Sequence, residues 1–110
     1  MKVIELDLHG NLSLKELYDS YIEYTFKYYH DESKIKELPG YFLVSGDCDE
    51  LNHEFVFYHL KENDFGTYLT GKKQLETCYI FKCIDKNIES VLDCDEEDIE
   101  KIKKLIYLQY

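Results

Sequence analysis

The sequence predicts an α+β fold: a mostly antiparallel sheet of about five to six strands, with two helices packed on one of its faces. Three observations carry that prediction. Short apolar segments with strand-like patterning recur along the chain, beginning at Val3–Leu8. Turn residues punctuate the chain between elements, as at His9–Asn11, Glu37–Tyr41 and Asp85–Asn87. Two other segments, one near each end, carry apolar residues at helical spacing. The predicted order is β-α-β-β-(β)-β-β-α, and its runs of hairpins favour antiparallel neighbours.

In Val3–Leu8, Ile4, Leu6 and Leu8 fall on one face and Glu5 and Asp7 on the other, the mark of a half-buried strand. After the turn at His9–Asn11, Ser13-x-x-Glu16 has the spacing of a capping box, with Leu12 and Leu17 placed as a hydrophobic staple. A helix is therefore expected from Leu14 to about Tyr29. Pro39 and Gly40 mark the next turn, and Tyr41–Ser45 reads as a strand. Phe55–Leu60 reads as its partner, which makes Gly46–Glu54 a long hairpin loop. Lys61–Gly66 is expected to turn and Thr67–Leu69 to form a short strand. Leu75–Ile84 is a longer strand, and Ile88–Asp93 pairs back onto it. A final helix spans about Glu96 to Tyr107, with apolar positions Ile99, Ile102, Leu105 and Ile106.

The chain has 110 residues, about the size of one domain, and is 45% hydrophobic, enough to bury a core. No composition shift divides it, so one domain, 1–110, is expected. No apolar run is long enough for a membrane span or a secretory leader, so the expected compartment is the cytoplasm. The chain lacks arginine, alanine and tryptophan, and has thirteen lysines and eleven tyrosines. A/T-rich codons explain that lysine and tyrosine use. They do not explain the net charge of −10, because they supply lysine as readily as the acids. Such a chain repels phosphate and lacks the guanidinium that grips it, so nucleic acid is excluded as a partner. Its field favours basic proteins instead.

The acids concentrate in a repeated word, "DCDE", at Asp47–Glu50 and again at Asp93–Glu96. A metal site is one reading of it. The close thiol pair, Cys78 and Cys83, lies five positions apart in a strand, so the two point to opposite faces. Calcium loops begun at Asp47 or Asp93 miss both the central glycine and the final bidentate acid. No metal and no cofactor is expected. The run Gly66–Lys73 matches the glycine and lysine spacing of a phosphate loop but puts Lys73 where Ser or Thr belongs, and strand-like residues follow it. For nucleophilic catalysis the loop thiols Cys48 and Cys94 and the bases His9, His30, His53 and His59 are candidates. Acidic neighbours raise a thiol's pKa and suppress the thiolate it would need.

The second word has a structural use. Asp95 is a good N-cap, and Glu96, Glu97 and Asp98 suit the first turn of the final helix. Yet Asp85–Glu100 holds eight acids against one lysine, more than a helix start needs, and Gly46–Glu54 holds four acids and no lysine. The expected partner-binding residues are Asp47, Asp49, Glu50, Glu54, Tyr58, Asp93, Asp95, Glu96, Glu97 and Asp98, edged by aromatics such as Tyr41 and Phe65. Over roughly its first twenty residues the chain, small and acidic, with a strand, a turn and a capped helix, resembles barstar-like inhibitors. The likeness extends no further, and no residue's role is carried over from it.

The expected function is that of a non-enzymatic interaction protein: an inhibitor or immunity protein that binds and blocks a basic toxin, nuclease or defence-complex subunit, by nucleic-acid mimicry in one version. One alternative is a small-ligand-binding or enzymatic α+β domain using the loop thiols and histidines. Another is a structural subunit that homodimerises through a sheet edge.

Overall fold

A computed structural model describes residues 1–18, 20, 34–45, 61–83 and 91–107. Among these, five strands form an antiparallel sheet and two helices cover one of its faces, the predicted α+β class.

β1 (Lys2–Leu6) and β2 (Leu12–Glu16) form a hairpin whose register runs from Lys2↔Glu16 to Leu6↔Leu12. The turn between them is organised by Asp7. Its carboxylate accepts hydrogen bonds from the amides of His9 and Asn11, both at 2.9 Å, and from the Asn11 side chain at 3.1 Å. Burial pushes the Asp7 pKa up, but these donors outweigh it and hold the carboxyl below its ordinary value. Gly10 takes the left-handed conformation the reversal needs, at φ 84°.

This hairpin corrects the helix predicted from Leu14. Leu14–Glu16 are strand, and the capping box is not made: Ser13 stands opposite Glu5, and Glu16 opposite Lys2. The same window holds a second pattern, Leu12-x-Leu14, which puts both leucines against the core on the helix-bearing face. Pairing with β1 bonds alternate residues of the segment along its length and turns that apolar pattern onto the core. The likeness to barstar-like inhibitors ends at this hairpin. Ser20 is helical. Residue 19 and residues 21–33, over which the predicted helix continues, lie outside the described residues.

β3 (Tyr41–Val44) follows the predicted turn and is buried at every position. The predicted loop at 46–54 and strand at 55–60 lie outside the described residues.

The predicted turn at 61–66 and short strand at 67–69 are also corrected, for Asp64–Thr70 is a helix, α1. Asn63 caps its start, accepting from the Gly66 amide at 3.2 Å. Gly71, at φ 74°, ends it, and its amide bonds the Thr67 carbonyl at 2.7 Å. Gly66 is closely packed inside the helix: a Cβ there would stand 3.1 Å from the Gln74 Cβ and 3.3 Å from the Cys78 Sγ, tighter than most such contacts. Asn63 itself is fully buried. Its amide nitrogen donates to the carbonyls of Leu6 (3.1 Å), Asp7 (3.3 Å) and Glu76 (2.9 Å), which ties the helix start to the end of β1 and to the approach of β4.

β4 (Cys78–Cys83) is the centre of the sheet. It pairs with β3 on one side and, on the other, with β1 and then with β5 (Val91–Leu92). Strand order is β2-β1-β4-β3, with β5 beside β4. Of the strand predicted at 88–93, residues 88–90 lie outside the described set, as does the turn at 85–87.

Alternation sorts the side chains. Ile4, Leu6, Tyr41, Leu43, Cys78 and Ile80 face α1 and α2 (Glu96–Tyr107), whose Leu69, Ile99, Ile102 and Ile106 complete that core. Val3, Phe42, Val44, Phe81, Cys83 and Val91 form a second buried cluster, in which the Phe42 and Phe81 rings stack at 5.7 Å. Cys78 and Cys83 therefore face opposite sides, as their spacing predicts. Among the described residues, no helix is long and apolar enough to cross a membrane.

Candidate partner-binding surface

The second acidic word sits where β5 gives way to α2, and the sheet explains its position. Lys2 and Leu92 would both stand opposite Lys82, so β1 splays away from β4 there and the chain after β5 fills the wedge. The Asp93 carboxylate accepts from the Lys2 amide at 2.9 Å, and the Cys94 amide donates to the Lys2 carbonyl at 3.0 Å.

Asp95 is the N-cap, as predicted. Its carboxylate accepts from the amides of Glu97 (3.0 Å) and Asp98 (3.2 Å), while the Asp95 amide donates back to the Asp98 carboxylate at 2.8 Å. Glu96, Glu97 and Glu100 are exposed, as are Asp93 and Asp95. These five acids fall within eight residues that contain no lysine. Negative charge at a helix start is favourable by roughly 0.3–1 kcal/mol per group, because the unpaired amides there carry partial positive charge.

Asp98 departs from the expected surface. It is 2% exposed and turned into the protein, where it accepts from the Tyr41 hydroxyl and from the Lys82 ammonium at 2.8 Å. Burial pushes the Asp98 pKa up, but the Lys82 ammonium, the Tyr41 hydroxyl and the Asp95 amide together hold it below the ordinary carboxylate value. The hydrogen bond that Lys82 donates to Asp98 raises the Lys82 pKa in return. Tyr41 is raised by burial first and by its bond to Asp98 second. The expected aromatic edge is thereby corrected too. Tyr41 belongs to the core, and Phe65 is half-buried beside Gly10. The apolar side chain that does reach solvent here is Leu92, 43% exposed. It lines a depression of about 350 Å³ with Pro39, Gly40, Tyr41, Lys82 and Cys83.

The remaining expected residues, Asp47, Asp49, Glu50, Glu54 and Tyr58, lie outside the described residues, as do Cys48, His30, His53 and His59. Cys94 sits in a loop but is buried, and its thiol is pushed up to about 12 by burial and then by the Asp98 charge. A thiol so placed stays protonated at neutral pH and makes a poor nucleophile. In Gly66–Lys73 the helix precedes the glycine–lysine turn, whereas a phosphate loop needs the helix to follow it. Among the described residues, no three His, Cys, Asp or Glu side chains are grouped to hold a metal ion. Compared with protein-family models, curated proteins and solved structures, the chain matches none of them.

Proposed function

We propose that this chain is a small acidic interaction protein that binds a basic partner, as an inhibitor or immunity protein binds a toxin, nuclease or defence-complex subunit. The observation that supports the reading is the exposed set Asp93, Asp95, Glu96, Glu97 and Glu100 at the start of α2, on a chain of net charge −10. Asp95 serves the helix cap and Asp93 holds Lys2. Glu96 and Glu97 have neither duty, and no side-chain hydrogen bond or ion pair engages them among the described residues. They offer a basic surface the kind of charge that a nucleic-acid backbone offers it. A field of this sign accelerates encounter with cations and weakens as salt screens it.

The test is association kinetics against the product of the adjacent gene, or against a panel of basic nucleases and toxins. Binding should slow as the Debye length falls from about 30 Å at 0.01 M salt to about 10 Å at 0.1 M. Glu96→Lys with Glu97→Lys should slow association with only a small loss of stability. Asp49→Lys with Glu50→Lys tests the first acidic word in the same way. Wild-type on-rates in both double variants would overturn the reading and leave the acids as solvated surface.

A further inference from the structure

We propose that the depression beside Leu92 is the apolar centre of this binding surface, and that it receives an apolar side chain flanked by lysine or arginine in the basic partner. The inference rests on the acidic-surface reading above and adds to it the point where the partner is anchored.

Leu92 stands opposite Lys82 in the β4–β5 register, so it lies on the helix-bearing face of the sheet. Lys82 is bonded to Asp98, one residue beyond Glu97 in the first turn of α2. Exposed Asp93 directly follows Leu92 in the chain, so the depression and the exposed acids adjoin. Its polar groups are already engaged from within: Lys82 is neutralised by Asp98, and the Tyr41 hydroxyl is spent on the same carboxylate. What remains for a visitor is the side chain of Leu92, the ring of Pro39 and the backbone at Gly40.

Charge selects the occupant. The exposed acids begin at Asp93, the residue after Leu92, and none of them lines the depression, so a partner's cation belongs over the acids and an apolar group belongs in the depression. A second copy of this chain is disfavoured, because it would bring another charge of −10 onto the same acids. The volume, about 350 Å³, is near the low end of the roughly 300–1,000 Å³ typical of ligand pockets, which suits a side chain better than a cofactor. An apolar anchor beside a charged, solvent-exposed margin is also the anatomy of anchored protein interfaces, where water exclusion at the anchor carries much of the affinity.

The experiment uses two peptides of equal charge, Lys-Lys-Leu-Lys-Lys and Lys-Lys-Ser-Lys-Lys, with polylysine as a purely electrostatic probe. Each is titrated into the full chain at low salt while amide chemical shifts are followed by NMR. The leucine peptide should bind about five- to tenfold more tightly than the serine peptide, as burying part of one leucine requires. It should also shift the amides of Gly40, Tyr41 and Leu92. Leu92→Ser should abolish the difference and leave the serine peptide unaffected. Should that variant unfold, the shift map of the unsubstituted chain decides alone. Equal binding of both peptides, or shifts centred elsewhere, overturns the proposal while the acidic-surface reading stands. If neither peptide nor polylysine binds, both fall.

Discussion

Lys82 of β4 and Asp98 of α2 form an ion pair at 2.8 Å that ties the last helix to the central strand of the sheet. Asp98 is almost fully buried, Lys82 keeps partial access to solvent, and Tyr41 of β3 donates to the same carboxylate. Three elements thus converge on one side chain. Removing that side chain leaves a half-buried ammonium and a buried hydroxyl without their acceptor. Asp98→Ala should cost about 3–5 kcal/mol in urea unfolding. Tyr41→Phe should cost about 1–2 kcal/mol, since it deletes one bond to a charged acceptor and retains the ring. If Asp98→Ala unfolds at the wild-type midpoint, the triad is not what holds the helix down.

Stability should fall at both extremes of pH, for opposite reasons. The folded pKa of Asp98 is lowered, and so is that of Asp7. As pH drops, the unfolded chain takes up these protons first. The contribution of both groups is therefore present above the ordinary carboxylate pKa of 3.8 and lost below it, toward the folded values. On the alkaline side, Cys94 titrates at about 12 against an ordinary 9.0, and Tyr41 and Lys82 are also raised. There the unfolded chain loses protons first. Stability is full below the ordinary values and declines above about pH 9, by up to about 1.4 kcal/mol per pH unit for each group. Urea midpoints across pH measure both limbs. Asp98→Asn should flatten the acid limb, and Cys94→Ala the first part of the alkaline one. Unchanged slopes in these variants would assign the pH dependence to other groups.

Two glycines with similar backbones should respond differently to alanine. Gly10 and Gly71 both have positive φ, 84° and 74°. A Cβ on Gly10 would sit 2.8 Å from the Cζ of Phe65, a ring packed on the core. A Cβ on Gly71 would meet only the end of the Lys36 side chain, which swings aside. Gly71→Ala should cost about 1 kcal/mol, the strain of the left-handed conformation alone. Gly10→Ala should cost about 2–4 kcal/mol, because a clash is added to that strain. Equal thermal shifts would contradict the packing of Phe65 against the turn.

Asn63 should tolerate no replacement well. Asn63→Ala uncaps α1 and strips the donor from the carbonyls of Leu6 and Glu76, a loss of about 2–4 kcal/mol. Asn63→Asp keeps an acceptor for the Gly66 amide but turns a carboxylate oxygen toward those carbonyls. Its damage should lessen as pH falls, because only the protonated acid can donate there. Circular dichroism melts at neutral and mildly acidic pH separate the two variants. An aspartate variant as stable as wild type at neutral pH would refute the donor role.

The parts legible in the sequence were those with one consistent local pattern. In α2, the Asp95 cap and the spacing of Ile99, Ile102 and Ile106 agree, and the helix spans Glu96–Tyr107 as predicted. At 12–16, two patterns compete: the spacing of Ser13 and Glu16 suits a helix start, and that of Leu12 and Leu14 suits a strand. The choice is made by the Asp7 turn, which brings β1 alongside. α1 was missed because its interior, with Gly66, Thr67, Tyr68 and Thr70, is poor helix material. Packing against Gln74 and Cys78 holds it instead. The inward turn of Asp98 did leave a signal. It lies four positions before Ile102 and eight before Ile106, on the apolar stripe, where an acid requires a buried counter-charge. The exposure of Leu92 left none, because it depends on how β5 enters the sheet.

The wedge at Lys2 has a consequence for how the chain matures on the ribosome. β1 is flanked on one side by β2, its immediate neighbour in sequence, and on the other by β4 and by Asp93, 91 positions downstream. At typical elongation rates of about 5–20 residues per second, translation needs on the order of ten seconds to deliver that second flank. Until then β1 lacks the partner for one row of its amides and carbonyls, and the leucines and isoleucine of these two strands lack the helices that later cover them. The pairing of β1 is thus completed only after β4 and Asp93 have followed it out of the ribosome.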